Sequence, residues 1–192
     1  MRVASMNFSV SPALTNGNAA QAPDLVLAAQ EVLQQGLRLL DSSADKYSLV
    51  APAPFDASIG QHFRHVVEHF QCLLQGAASG EVNYDARERN HHIETDVTYA
   101  VQTTADVMHK LQTWTKSTLE QPCSTVSSLA YHTDSPTLLS SNLGRELAYC
   151  IGHAIHHFAI IRLLCDQVGV EVPADFGYAP STLKYKSSLT AD

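Results

Sequence analysis

Two apolar stretches carry histidines at helical spacing, and that combination constrains the fold more than any other feature of the chain. In GHAIHHFAII, Gly152 to Ile161, His153 and His157 are four apart, so on a helix both rings leave the same face about one turn apart. In SIGQHFRHVVEHF, Ser58 to Phe70, His62, His65 and His69 follow steps of three and four and make a second stripe. A buried histidine without a partner is costly, so several together on apolar helices need a shared explanation. Imidazole is a good ligand for zinc, nickel, copper and iron, and a site needs at least three donors converging on the ion. One helix cannot supply three. Two from an HxxxH turn plus one from a facing helix is the economical solution in a bundle, and it leaves coordination positions open for water or substrate. The third donor is then His62, His65 or His69, which share one stripe.

The rest of the chain supplies helices to build that bundle. After Pro23, Asp24 is placed to cap a first helix running to about Ser42, with Leu25, Ala29, Val32, Leu33, Leu37 and Leu40 at the helical period and Gly36 as a mild cost. Pro52 and Pro54 make residues 46–55 an extended connection. Asp56 is expected to cap the second helix, which ends in the glycines 76–80. Residues 81–94 are charged and long for a helix connection, which points to a crossover, mostly a salt-bridged loop. Asp96 or Thr95 opens a third helix that stops before Pro122. Residues 123–140 read as two short strands around a turn. Ser140 or Ser141 caps the last and most apolar helix, which runs to Gly169, and the tail beyond is expected to hold no helix of its own. The predicted fold is all-α: a four-helix bundle with a long crossover between helices 2 and 3 and a short β-hairpin before helix 4. Residues 1–22 form a loose arm and 23–192 a single domain.

Composition narrows the function classes. The net charge of −7 and the lack of a basic cluster argue against nucleic acid as a partner. Charged residues are only 16% of the chain, which fits a soluble globule with an interface, and a homodimer is one arrangement that would use it. Four cysteines without CxxC spacing suit a reducing compartment, so a cytoplasmic location is expected. The N-terminus does not read as a signal peptide, and no run of 18 apolar residues predicts a membrane span. Ten histidines against twelve Lys+Arg is a high ratio, and most of the histidines lie in tight groups.

The arrangement of the two histidine helices, the crossover and the helix count resembles the DinB-like superfamily of metal-binding four-helix bundles. In that family one histidine of the second helix and an HxxxH pair of the last helix bind a divalent metal. The resemblance implies His65, His153 and His157 as the ligands, with zinc, nickel or iron as the cofactor. It leaves His62 and His69 beside the metal or facing substrate, and His156 in either role. It also implies a small-molecule substrate, with the metal activating water or a thiol for hydrolysis or group transfer and Glu68 or His69 as the adjacent base. Related sulfoxide synthases carry a glutamate two residues after HxxxH, where this chain has Ala159, so their chemistry does not carry over. Glu68 and Glu146 are the carboxylates placed to orient metal-bound imidazoles, against plainer readings as a solvated side chain and a partner of Arg145. Tyr178 and Tyr185 in the tail are candidates for a lid over the site.

Three other readings compete. A non-catalytic metal or ligand binding module would use both HxxxH pairs, 65 with 69 and 153 with 157, in a closed four-histidine site. A di-iron bundle needs inward bridging carboxylates, of which the histidine helices offer few. A bundle that dimerises through its apolar helices would bind no metal.

Overall fold

A computed structural model describes residues 22–54, 56–132 and 135–189 of the chain. The expected N-terminal arm therefore lies, apart from Ala22, outside the described residues. The chain is mostly helical, with α1 (Asp24–Ser43), α2 (Ile59–Ser79), α3 (His91–Thr95), α4 (Val97–Gln112), α5 (Lys116–Leu119), α6 (Leu143–Val168) and α7 (Pro180–Leu189). A small sheet contains β1 (Glu81–Asn83), β2 (Pro122–Ser127) and β3 (Thr137–Asn142).

The four long helices α1, α2, α4 and α6 pack in a ring, with α1 and α2 each lying against both α4 and α6. Their apolar stripes meet in one core that includes Leu33, Leu40, Phe63, Phe70, Leu73, Leu147, Phe158 and Ile161. Each such side chain contributes about 1.5–3 kcal/mol on burial. Phe63 of α2 and Phe158 of α6 lie parallel at 6.5 Å, and Phe176 stacks on Phe158 at 5.0 Å, so the tail seals the same cluster. Gly36 in α1 sits where these rings come through: a Cβ there would lie 2.9 Å from both Phe158 and Phe63. The glycine that reads as a cost in sequence is required by packing.

The helix ends show which polar residues win the capping positions. Ser58, not Asp56, caps α2, in a reciprocal capping box with Gln61. Asn142, not Ser140 or Ser141, caps α6 by accepting from the Arg145 N–H. Asp24 is the first residue of α1 rather than its cap, and Pro23 takes the cap position. Asp96 caps α4 as expected, through the Tyr99 N–H. That helix ends at Gln112, and a separate turn, α5, follows. α6 ends at Gly169, whose φ of 72° is a left-handed conformation that glycine adopts without penalty.

The mostly helical expectation holds, with one correction: the small sheet has a third strand. The hairpin is present as β2 and β3, antiparallel from Pro122↔Asn142 to Ser127↔Thr137. In addition, β1 pairs parallel with β2, Val82 opposite Thr125. Thus the segment read as a crossover loop starts as a strand, and this brings Tyr84 under the end of α6. The tail expectation is also corrected, because 180–189 form α7, although none of its residues is buried. Among the described residues α6 is the one helix long and apolar enough to cross a membrane, with a mean hydropathy of 1.3, and its buried stripe runs from Leu143 through Ala154 to Cys165.

Candidate metal centre

The seam between α2 and α6 brings the two histidine stripes face to face. His65, His153 and His157 each offer a ring nitrogen, and these three atoms all lie within 4.8 Å of one another. Nε2 of His65 is 2.9 Å from Nε2 of His153. Nδ1 of His62 is 2.9 Å from Nδ1 of His157, so His62 attends one ligand candidate from its side. The His69 ring lies 4.1 Å from that of His153, tilted, and 4.4 Å from that of His65, edge-on, centre to centre. Its Nδ1 meets the His65 carbonyl at 2.7 Å. A carbonyl only accepts, so Nδ1 carries the proton and Nε2 of a neutral His69 is left with a free lone pair. His156, beside the pair, is exposed, with its ring 5.2 Å from His157.

Burial and crowding keep these rings neutral. The imidazole pKa falls to about 2 at His65, through burial and then the neighbouring His69, His157, Arg87 and His153. Burial first, then other imidazoles and Arg87, holds His157 at about 3 and His153 at about 4. His69 is held at about 4, mainly by burial, against the opposing carbonyl hydrogen bond. His62 is lowered by burial and by His156. Near neutral pH all five rings are uncharged, which is the state a metal ligand requires.

The residues present fit a divalent metal. A tetrahedral ion with Zn–N bonds of about 2.0–2.1 Å holds its ligand nitrogens roughly 3.3 Å apart. The observed separations, from 2.9 Å between His65 and His153 up to a limit of 4.8 Å, bracket that value. Without an ion, one nitrogen of each close pair must carry a proton to donate to the other; with an ion, the lone pairs of His65 and His153 would both turn to it.

The two carboxylates expected beside the imidazoles behave otherwise. Glu68 is buried, but its Oε1 accepts from the Asn90 N–H at 2.7 Å, and its Oε2 lies 3.8 Å from Arg64 and 4.0 Å from Arg87. It ties α2 to the crossover and meets no imidazole. Glu146 is also buried, yet it is not paired with Arg145: Ser141 Oγ donates to its Oε1, and Tyr84 Oη donates to its Oε2 at 2.9 Å. The ring of Tyr84 in turn stacks on His69 at 5.2 Å with an interplanar angle of 18°. Glu146 therefore reaches the cluster through Tyr84. Cys150 is buried below, its thiol pushed up to about 12 by burial, and it stays protonated.

Tyr84 and Tyr149 are the site residues missed in sequence. Tyr149 lies four before His153 on the same face of α6, and its ring is 5.5 Å from that of His153, so the helical spacing could have revealed it. Tyr84 has no local signal, since the parallel pairing of β1 with β2 places it. The tail tyrosines do not form a lid here: Tyr178 sits under Lys186 at 3.8 Å and Arg162 at 5.0 Å, and Tyr185 is exposed.

No protein-family model matches the chain. A stretch of 104 residues, 54% of this chain, is 36% identical to the FK506-binding protein 5 of Rhizopus delemar. That stretch spans only 27% of the relative's length. No solved structure matches the chain.

Proposed function

We propose that the chain is a metal-dependent enzyme of the DinB-like type, in which His65, His153 and His157 hold a divalent ion. The observation that carries this reading is the convergence of those three ring nitrogens within 4.8 Å on a seam between two helices. The ring of four long helices, with one histidine of the triad on α2 and the HxxxH pair on α6, supports the family reading. Bound there, a divalent metal would supply Lewis acidity for activating water or a thiol in hydrolysis or group transfer. The chain's own part is to keep the ligands neutral and oriented. His69, neutral and with Nε2 bare, is the group placed to take a proton beside the triad. Glu68 is the weaker candidate for that role, because Asn90, Arg64 and Arg87 already engage its carboxylate.

Elemental analysis of protein prepared without an affinity tag tests this reading. One metal per chain is expected, lost in His153→Ala. Retention of the metal in that variant would sink the assignment.

A second reading is a metal or ligand binding module without catalysis, in which His69, its ring 4.1 Å from that of His153, closes the site as a fourth donor. About half of this chain matches roughly a quarter of a longer relative. The name of that relative refers to FK506, and no residue of this chain is assigned to that ligand. A cobalt-substituted sample separates the readings, since an open site responds to azide and a closed four-histidine site does not.

A further inference from the structure

An open cavity of about 300 Å³ adjoins the triad, lined by Ala57, Gln61, His62, Arg64, His65 and His157. That volume is at the lower end of the range for small-molecule sites, about 300–1,000 Å³. Two ligand candidates, His65 and His157, form one of its walls, so a molecule in the cavity would meet the metal. Beside them the lining supplies a wall with hydrogen-bond donors. Gln61 uses its Oε1 to accept from the Ser58 N–H, which leaves the amide NH2 to donate. Arg64 donates Nη1 to Glu94 and holds Nε 3.8 Å from Glu68, which leaves Nη2 with no protein acceptor among the described residues. Among the described residues, no carboxylate lines the cavity.

From this lining we infer that the site takes a small monocarboxylate bearing a second donor, such as a hydroxyl or thiol, that reaches the metal. The inference rests on the proposed metal-dependent reading and names its substrate class. Three neutral imidazoles leave the charge of a divalent ion uncompensated, so an anion is favoured over a neutral molecule. Arg64 is already flanked by Glu68 and Glu94, so its charge is largely spoken for, and a phosphate dianion would find too little positive charge on that wall. A carboxylate needs only two donors, one for each oxygen, and Gln61 and Arg64 supply them.

The test uses the full chain loaded with cobalt and titrated with glycolate, with ethylene glycol as its uncharged analogue and imidazole as a neutral metal ligand. Cobalt absorption and calorimetry are the readouts. Glycolate is expected to bind at least about tenfold more tightly than ethylene glycol. Gln61→Glu keeps the capping box, because glutamate serves at that position, but it removes the donor and adds a negative charge. It is expected to weaken glycolate at least about tenfold while imidazole binding changes less than twofold. Arg64→Lys should act in the same direction. Equal binding of glycolate and ethylene glycol, or an unchanged glycolate affinity in Gln61→Glu, would overturn the inference while leaving the metal site standing. Failure of the wild-type chain to take up cobalt would instead remove the metal reading, and this inference with it.

Discussion

The two ends of the α2–α6 seam are built on opposite principles. At one end His62, His65 and His157 face an open cavity with Gln61 and Arg64, and the polar groups there keep unused donors. At the other end His69 is 3% exposed and sits on Tyr84, whose hydroxyl is fixed by the buried Glu146 and, through it, by Ser141 of β3. Both ends use imidazoles; at the second the Tyr84 hydroxyl and the Glu146 carboxylate are closed off by partners, while Nε2 of His69 stays bare. The difference separates two jobs on one pair of helices. The closed end fixes the rings in place and the open end leaves room for a ligand.

Substitutions can break that contrast. The largest effect is expected at the shared ligands: His153→Ala or His157→Ala should lower metal affinity by more than about 100-fold, measured by competition with a chelator, since a lost ligand exceeds the 10–100-fold cost of a lost supporting partner. At the closed end, Glu146→Ala removes the carboxylate that accepts from the Tyr84 and Ser141 hydroxyls, leaves Tyr84 its 3.7 Å contact with Cys150 Sγ and opens a void, so the denaturant midpoint should fall by the equivalent of about 2–4 kcal/mol. Glu146→Gln keeps the volume and should cost less. At the open end, His62→Ala should change stability by less than about 1 kcal/mol, because His62 is only half-buried. It should nevertheless weaken metal binding about 10–100-fold if His62 orients His157. A metal loss at His62 as large as that at His153 would mean that His62 is itself a ligand.

The same contrast sets a pH dependence for the metal-free protein. The imidazoles of His65, His69, His153 and His157 are held below the ordinary value of 6.5 in the folded chain. Below about pH 6.5 the unfolded chain therefore binds protons that the folded chain refuses, and stability falls. It is at full strength above pH 6.5 and declines through about 4, where His69 and His153 titrate, with His157 and His65 following at about 3 and about 2. The thermal midpoint of chelator-treated protein should drop over that window, and His69→Ala should flatten the drop. A midpoint indifferent to pH between 7 and 4 would contradict the burial of neutral rings.

What was legible in the sequence follows the range of the interactions involved. The helices α1, α2, α4 and α6, the hairpin and the histidine pairing come from periodicities of 3.6 and 2 and from local turn residues, and these local signals are strong. The caps shifted by two residues or fewer, from Asp56 to Ser58 and from Ser141 to Asn142, because several polar residues compete at each start. β1 and Tyr84 were not legible, since a parallel pairing across some forty residues leaves no mark on a three-residue strand. Glu68 and Glu146 were singled out as carboxylates near the site, but their partners lie on the crossover and on β3, so spacing along a helix could not give their burial or their roles. α7 was read as tail because it has no buried face to impose a period.

The account stands on the triad as a metal site. Elemental analysis of the untagged chain beside His153→Ala, with circular dichroism to show that both are folded, is the most direct measurement. The prediction is one divalent metal per wild-type chain and none in the variant. A folded wild-type chain without metal, or a folded variant that keeps it, would contradict the account.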